Sequence, residues 1–359
     1  MALVSFGRLI RGRLFPPSDP IQSLEGKTVL ITGGTSGLGF EAAKKYISLG
    51  VASLIIGCRN AERGSEVKKL LEERSRQHIK QRTLGNDSGS DDIARIHIWP
   101  LDMSSYDSVK SFAERVDSQV SRLDIALLNA GTFRKTYTRS MEGWESTVQV
   151  NALSTALLGL LLLPKLRQSR DAVTGNPAVL TLISSGSFRL AKAEELQPKN
   201  TDIGDSNSET SILQHLNDEQ QFRAAAQYRL SKVLVEYAAK GIADSTRQED
   251  GTIEVIVNSA CPGFCRSGLG REFNAFYQRW FMAVFELFFS RKTEQGSRTL
   301  VTATLLGEES HGKWWRDDGY PDISYTLTGT EIGKRLQKQA WKEIVEELKH
   351  RYPEVGQLI

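Results

Sequence analysis

Tyr228 and Lys232 stand four residues apart in Tyr-Arg-Leu-Ser-Lys, a step that puts both side chains on one face of a helix. An ammonium beside a phenol favours the phenolate and makes the tyrosine a usable proton donor or acceptor. Without that help a phenol, whose ordinary pKa is about 10, is a poor base near neutrality. Far upstream, Thr32-Gly33-Gly34-Thr35-Ser36-Gly37-Leu38-Gly39 is a glycine-rich turn. Its glycines let the backbone approach a pyrophosphate and leave amide N–H groups at a helix N-terminus. Together the motifs supply parts for hydride transfer coupled to proton transfer. Each alone also reads as an exposed helix face or an ordinary turn.

The chain between these motifs must position them. Residues 27–32, 52–57, 96–101, 124–128, 179–183 and 254–257 read as short apolar strands, and 40–49, 61–77 and 108–119 as helices. Residues 83–92 are polar and turn-rich, an exposed loop. The run 152–163 is nearly continuous leucine and alanine and is expected to end at Pro164. At a dozen residues it reads as a buried core helix, too short to span a membrane. Strands alternating with helices imply an α/β fold, a parallel sheet with helices on both faces. Ligands in such sheets sit at the carboxyl ends of the strands. Cys58-Arg59-Asn60, Asp102, Asn129-Ala130-Gly131, Ser184-Ser185-Gly186 and Ala260-Cys261-Pro262-Gly263 all fall at such ends.

The bulk composition narrows the classes. Among 359 residues, 40% are hydrophobic and 25% charged, ordinary for a globular protein. A formal charge of +3 gives no argument for a nucleic-acid partner. Cys58, Cys261 and Cys265 form no disulfide framework, so a reducing, cytoplasmic setting is expected. Without a nearby histidine, Cys261 and Cys265 do not suggest a metal site. Residues 1–24 form an extension ahead of one domain over 25–359. Arg8, Arg11 and Arg13 interrupt its apolar positions, which rules out a bilayer span and gives no secretory signal. Packing over the domain is the plainer reading, and peripheral contact with a membrane surface the sharper one.

Arg59 stands twenty residues after Gly39, at the end of the second strand. An acidic residue there would bond an adenosine ribose, whereas an arginine can hold a 2′-phosphate. No acidic residue occupies 55–60, so NADP(H) is expected in preference to NAD(H).

The ordered set Thr32-Gly33, Gly37, Gly39, Asp102, Asn129-Ala130-Gly131, Asn151, Ser185, Tyr228, Lys232 and Pro262-Gly263 resembles the short-chain dehydrogenase/reductase family over residues 27–270. The resemblance implies a single Rossmann-type, doubly wound parallel sheet. It also implies roles. Thr32, Gly33, Ser36, Gly37, Leu38 and Gly39 would cradle the dinucleotide, Asp102 would contact adenine, and the Asn129 turn would support the sheet beside it. Asn151 would anchor a water in a proton relay to Lys232, which would also hold the nicotinamide ribose. Ser184 and Ser185 are both candidates to hold the substrate oxygen, and the family pattern favours Ser185. Pro262 and Gly263 would lie near the nicotinamide, with Ser267 where the family usually has threonine.

Departures from the family pattern carry information too. Forty-three residues separate Ser185 from Tyr228, where many members have about a dozen. The extra segment, 189–223, is similar to the insertion of monomeric carbonyl reductases, which implies a monomer or a differently arranged dimer. The glycine turn and Cys58-Arg59-Asn60 also resemble retinol-dehydrogenase-like members and reductases of fungal secondary metabolism. Phe273, Phe276, Tyr277, Trp280, Phe281, Phe285, Phe288 and Phe289 crowd the second variable region, 264–290. Their spacing suits core packing and the wall of a pocket for a bulky apolar molecule; membrane contact is the other reading. The expected function is therefore NADP(H)-dependent interconversion of a carbonyl and an alcohol on a small molecule. A non-catalytic dinucleotide-binding sensor or scaffold is the rival, but such relatives typically lose the tyrosine, lysine or serine. Reduction of a carbon–carbon double bond usually goes with a different tyrosine–lysine spacing.

Overall fold

Runs of valine, isoleucine and leucine satisfy a strand that is buried on both faces, and the chain uses five of them at the centre of a parallel sheet. A computed structural model describes residues 15–84, 93–171, 174–197, 211–265 and 290–359. The strands are β1 (Thr28–Thr32), β2 (Ser53–Cys58), β3 (Arg95–Pro100), β4 (Ile125–Leu128), β5 (Ala178–Ile183), β6 (Val255–Ala260) and β7 (Trp314–Trp315). They form one seven-stranded sheet in the order β3-β2-β1-β4-β5-β6-β7, every pair parallel. This is the doubly wound α/β architecture expected from the sequence. The order reverses between β1 and β4, and the crevice beyond their carboxyl ends is where such sheets take ligands.

Strand limits shift by one or two residues from the sequence reading, except that β6 runs on to Ala260. The seventh strand was not anticipated. Two tryptophans give no periodicity to read, and they pair with Ser259 and Ala260 only at the sheet edge.

The helices are α1 (Gly37–Ser48), α2 (Ala61–Leu84), α3 (Tyr106–Gln119), α4 (Ser146–Gln168), α5 (Ile212–Leu216), α6 (Ala224–Ser245), α7 (Thr293–Ala303) and α8 (Glu331–Arg351). Alternation along the strands divides the core in two. Val29, Ile31, Ile125 and Leu127 face α1, α2 and α7. Leu30, Ala126, Leu128 and Leu180 face α3, α4 and α6, with α8 completing that layer.

Helix α4 corrects the expectation at Pro164, which lies inside the helix rather than at its end. Proline removes one backbone hydrogen bond, a cost of about 3 kcal/mol in a helix interior. Leu162, Leu163 and Leu166 are buried on both sides of it, and that packing carries the helix one turn further. Among the described residues α4 is the one helix long and apolar enough to cross a membrane. Its apolar window is 89% buried within the protein, so it is a core helix, as expected.

The described part of the extension lies along the β7 side of the molecule. Ser18 N donates to Asp318 Oδ2 at 2.7 Å and Arg298 Nη1 to the Pro17 carbonyl at 3.2 Å. Arg8, Arg11 and Arg13, and the aromatic run 273–289, lie outside the described residues.

Candidate active site

Helix α6 carries Tyr228 and Lys232 toward the carboxyl end of β5. Tyr228 is half-buried, with its ring 5.0 Å from that of Phe133. Lys232 is buried; its Nζ donates to the Ile183 carbonyl at 2.8 Å and lies 5.9 Å from the centre of the Tyr228 ring. Burial pushes the phenol up to about 12, while the facing Ser185 hydroxyl pulls it down. Lys232 is not among the groups that lower it. Its own ammonium is pushed down to about 8, first by burial.

The two serines after β5 are separated by geometry. Ser185 caps the short turn that follows, its Oγ accepting from Ser187 N at 3.3 Å, and it faces Tyr228. Ser184 faces the other way, toward Glu236.

Asn151 sits in a wide helical turn, Gln149–Leu153, inside α4. Such π-type turns often mark functional sites. Its side-chain amide is committed to the protein. Oδ1 accepts from Thr132 N at 2.8 Å, and Nδ2 donates to Thr132 O at 3.0 Å and Ser231 Oγ at 2.9 Å. It thereby ties the loop after β4 to the helix that carries Tyr228.

Sequence reasoning missed Glu236, one turn beyond Lys232 on α6. Its Oε2 accepts from Ser259 Oγ at 2.8 Å, and burial lifts its carboxyl to about 7. On the sequence it looks like an ordinary helix-surface partner for Lys232, because nothing local reveals that this face is covered by β6.

The nucleotide end is built around β1 and β4. Gly37 has φ +56, and a Cβ on Gly39 would fall 2.4 Å from the Gly33 carbonyl, so the turn closes this tightly only with glycine. Asn129 Nδ2 donates to the carbonyls of Thr32 at 3.0 Å and Gly33 at 3.3 Å, and Ala130 N to Thr32 Oγ1 at 2.9 Å. The Ser36 side chain does not cap α1, and its first turn holds no acidic residue. The first-turn amides of Gly37, Leu38 and Gly39 are those a helix leaves without intrahelical partners. Such amides can cradle a pyrophosphate, and the residues present fit a dinucleotide. Asp102, beyond β3, is held by its own turn, its Oδ1 accepting from Ser104 N at 2.9 Å.

Arg59 is exposed beyond β2, and no acceptor among the described residues holds its guanidinium. A second arginine joins it that sequence reading did not single out. Arg63, in the first turn of α2, reaches back to the Thr35 carbonyl through Nε at 3.4 Å. Its four-residue step from Arg59 was the available signal. Beyond β6, Pro262 and Gly263 follow Cys261, whose Sγ accepts from Gly186 N at 3.1 Å and Gly263 N at 3.4 Å. Ser267 lies outside the described residues.

Comparison with known proteins places the chain in a family. A family model described as short chain dehydrogenase matches residues 27–176. The short-chain dehydrogenase/reductase phmF of Phaeosphaeria nodorum is 40% identical over 349 residues, covering 96% of this chain and 93% of that protein. The short-chain dehydrogenase/reductase ffsI of Aspergillus flavipes is 38% identical over 344 residues, covering 96% and 92%. Among solved structures, the Pseudomonas aeruginosa RhlG/NADP active-site complex superposes with a TM-score of 0.55 at 22% identity, covering 82% of this chain and 96% of that one.

Proposed function

The chain belongs to the short-chain dehydrogenase/reductase family, and from that premise we propose an NADP(H)-dependent oxidoreductase that interconverts a carbonyl and an alcohol on a bulky apolar small molecule. The observation that carries the reading is the convergence of Tyr228, Ser185 and Lys232 at the end of β5, beside the crevice where β1 and β4 diverge. The nicotinamide, when bound, supplies or accepts the hydride. In the reductive direction Ser185 holds the carbonyl oxygen and Tyr228 gives it a proton. Lys232, its Nζ 5.9 Å from the centre of the Tyr228 ring, supplies positive charge beside the phenolate left when the proton is given. The Asn151 side chain is a clamp, and its turn anchors the relay water that recharges Lys232.

The NADP(H) preference rests on Arg59 and Arg63, two guanidiniums at the corner where a 2′-phosphate would lie. Kinship with the fungal enzymes supports a place in secondary metabolism.

The test is Tyr228→Phe. It should keep NADPH affinity, read by cofactor fluorescence, and lose turnover on a ketone panel by about 10²–10⁴-fold. Turnover like that of the wild type refutes the role of Tyr228. Failure of the wild type to bind either NADPH or NADH would favour a scaffold instead.

A further inference from the structure

The carboxyl end of β7 carries a cation that the proposed chemistry leaves unused. Arg316 follows β7 directly, its side chain 16% exposed, with the guanidinium against the turn that holds Ser185. A Cβ on Gly186 would lie 2.6 Å from Arg316 Nη1 and 3.8 Å from Cys261 Sγ. The glycine at that position therefore leaves the room the guanidinium occupies.

Among the described residues, partnering of this charge is incomplete. Asp317 is shared between two arginines: Oδ1 accepts from Arg291 Nη1 at 2.5 Å and Oδ2 from Arg316 Nε at 3.1 Å. Asp318 is turned away, to Ser18 N. Both aspartates are held at positive φ, 52° and 58°, a region costly for residues other than glycine. The Nη groups of Arg316 bond no acceptor among the described residues. A largely buried charge in that condition is expensive unless a ligand completes it. The corner marked by Arg59 follows β2, separated from β7 in the sheet by β1, β4, β5 and β6.

We propose that Arg316 is an anion subsite of the substrate pocket, taking a carboxylate or ionised enol carried by the same molecule as the reacting carbonyl. The two Nη groups present a planar fork that matches a planar pair of anionic oxygens. The substrate class is then an acidic ketone, or its alcohol, with an apolar body. This rests on the oxidoreductase reading, yet it can be read by binding alone.

The probes are 2-naphthoate and its neutral isostere 2-naphthamide, titrated against the NADPH-loaded protein by tryptophan fluorescence. The wild type should bind the carboxylate about 10–100-fold more tightly than the amide, the range of a charge-assisted pair. Arg316→Gln should abolish the preference with NADPH affinity unchanged, and Arg316→Lys should keep part of it. Gly186→Ala, which crowds the guanidinium, should reduce it as well, and serves if Arg316→Gln does not fold. Equal binding of the two probes by the wild type, or a preference that survives both Arg316→Gln and Gly186→Ala, overturns the proposal. A protein that prefers the carboxylate but turns over no ketone keeps the subsite and loses the oxidoreductase reading.

Discussion

Glu236 stands one helical turn beyond Lys232 on α6, and its carboxylate, hydrogen-bonded by Ser259 at 2.8 Å, raises the ammonium that burial otherwise depresses. Acid and base are thus buried together behind the phenol. The lysine's charge depends in part on a residue one turn further along the helix from Tyr228.

That relationship has a stability signature. Burial raises the Glu236 carboxyl from an ordinary 4.5 to about 7. The folded state therefore holds a proton that the unfolded state has lost between those values, and the contribution, full below about 4.5, is lost as pH rises through about 7. Lys232 stays charged up to about 8 and does not confuse the window. Glu236→Gln should gain on the wild type by roughly 1–3 kcal/mol between pH 4.5 and 7.5, measured as urea midpoints at each pH. A constant difference across that range would show that Glu236 titrates normally.

The same variant should move the activity profile. With the carboxylate gone, Lys232 loses the charge that raises its pKa. The basic limb of kcat/KM for ketone reduction should then shift to lower pH. An unmoved limb would assign it to another group.

Arg59 and Arg63 give a cofactor prediction with opposite outcomes for two ligands. Arg59→Ala should weaken NADPH by about 10–100-fold, the range for a lost hydrogen bond to a charged group, and leave NADH almost unchanged. Arg63→Ala should follow with a smaller loss, because its guanidinium is partly spent on Glu66 at 2.8 Å. A parallel loss of both cofactors would place these arginines outside the 2′-phosphate site.

Packing of α8 on α6 passes through one glycine. A Cβ on Gly241 would lie 2.3 Å from the Trp341 ring. Alanine normally gains about 1 kcal/mol over glycine inside a helix, but overpacking here costs about 1–3 kcal/mol. Gly241→Ala should therefore destabilise, and Trp341→Leu in the same chain should recover part of the loss, read as a double-mutant cycle in urea. A stabilised single variant would show that the two helices part easily.

Much of the site was legible because its parts are local. Tyr228 and Lys232 share a helix face by spacing alone, and the glycine turn announces itself between a strand and a helix. The strands were legible because burial on both faces writes continuous apolar runs. What remained hidden depends on distant packing. Pro164 stays helical because buried leucines flank it. Glu236 is buried because β6 lies across it, and Arg316 meets Gly186 because β7 joins the sheet edge. Each of these contacts joins segments far apart in the chain, where periodicity carries no signal.

Helix α8 has one more consequence. Gly241 and Trp341 touch although they are a hundred positions apart, and Leu336, Ala340, Ile344 and Leu348 share a core with the buried side chains of α6. Contacts of such long sequence separation form late, because loop closure must come first. The face of α6 that carries Gly241 is covered by α8. Amide protons on that face of α6 should exchange as one cooperative unit with those of α8, so that the opening of the helix carrying Tyr228 is coupled to the far end of the fold.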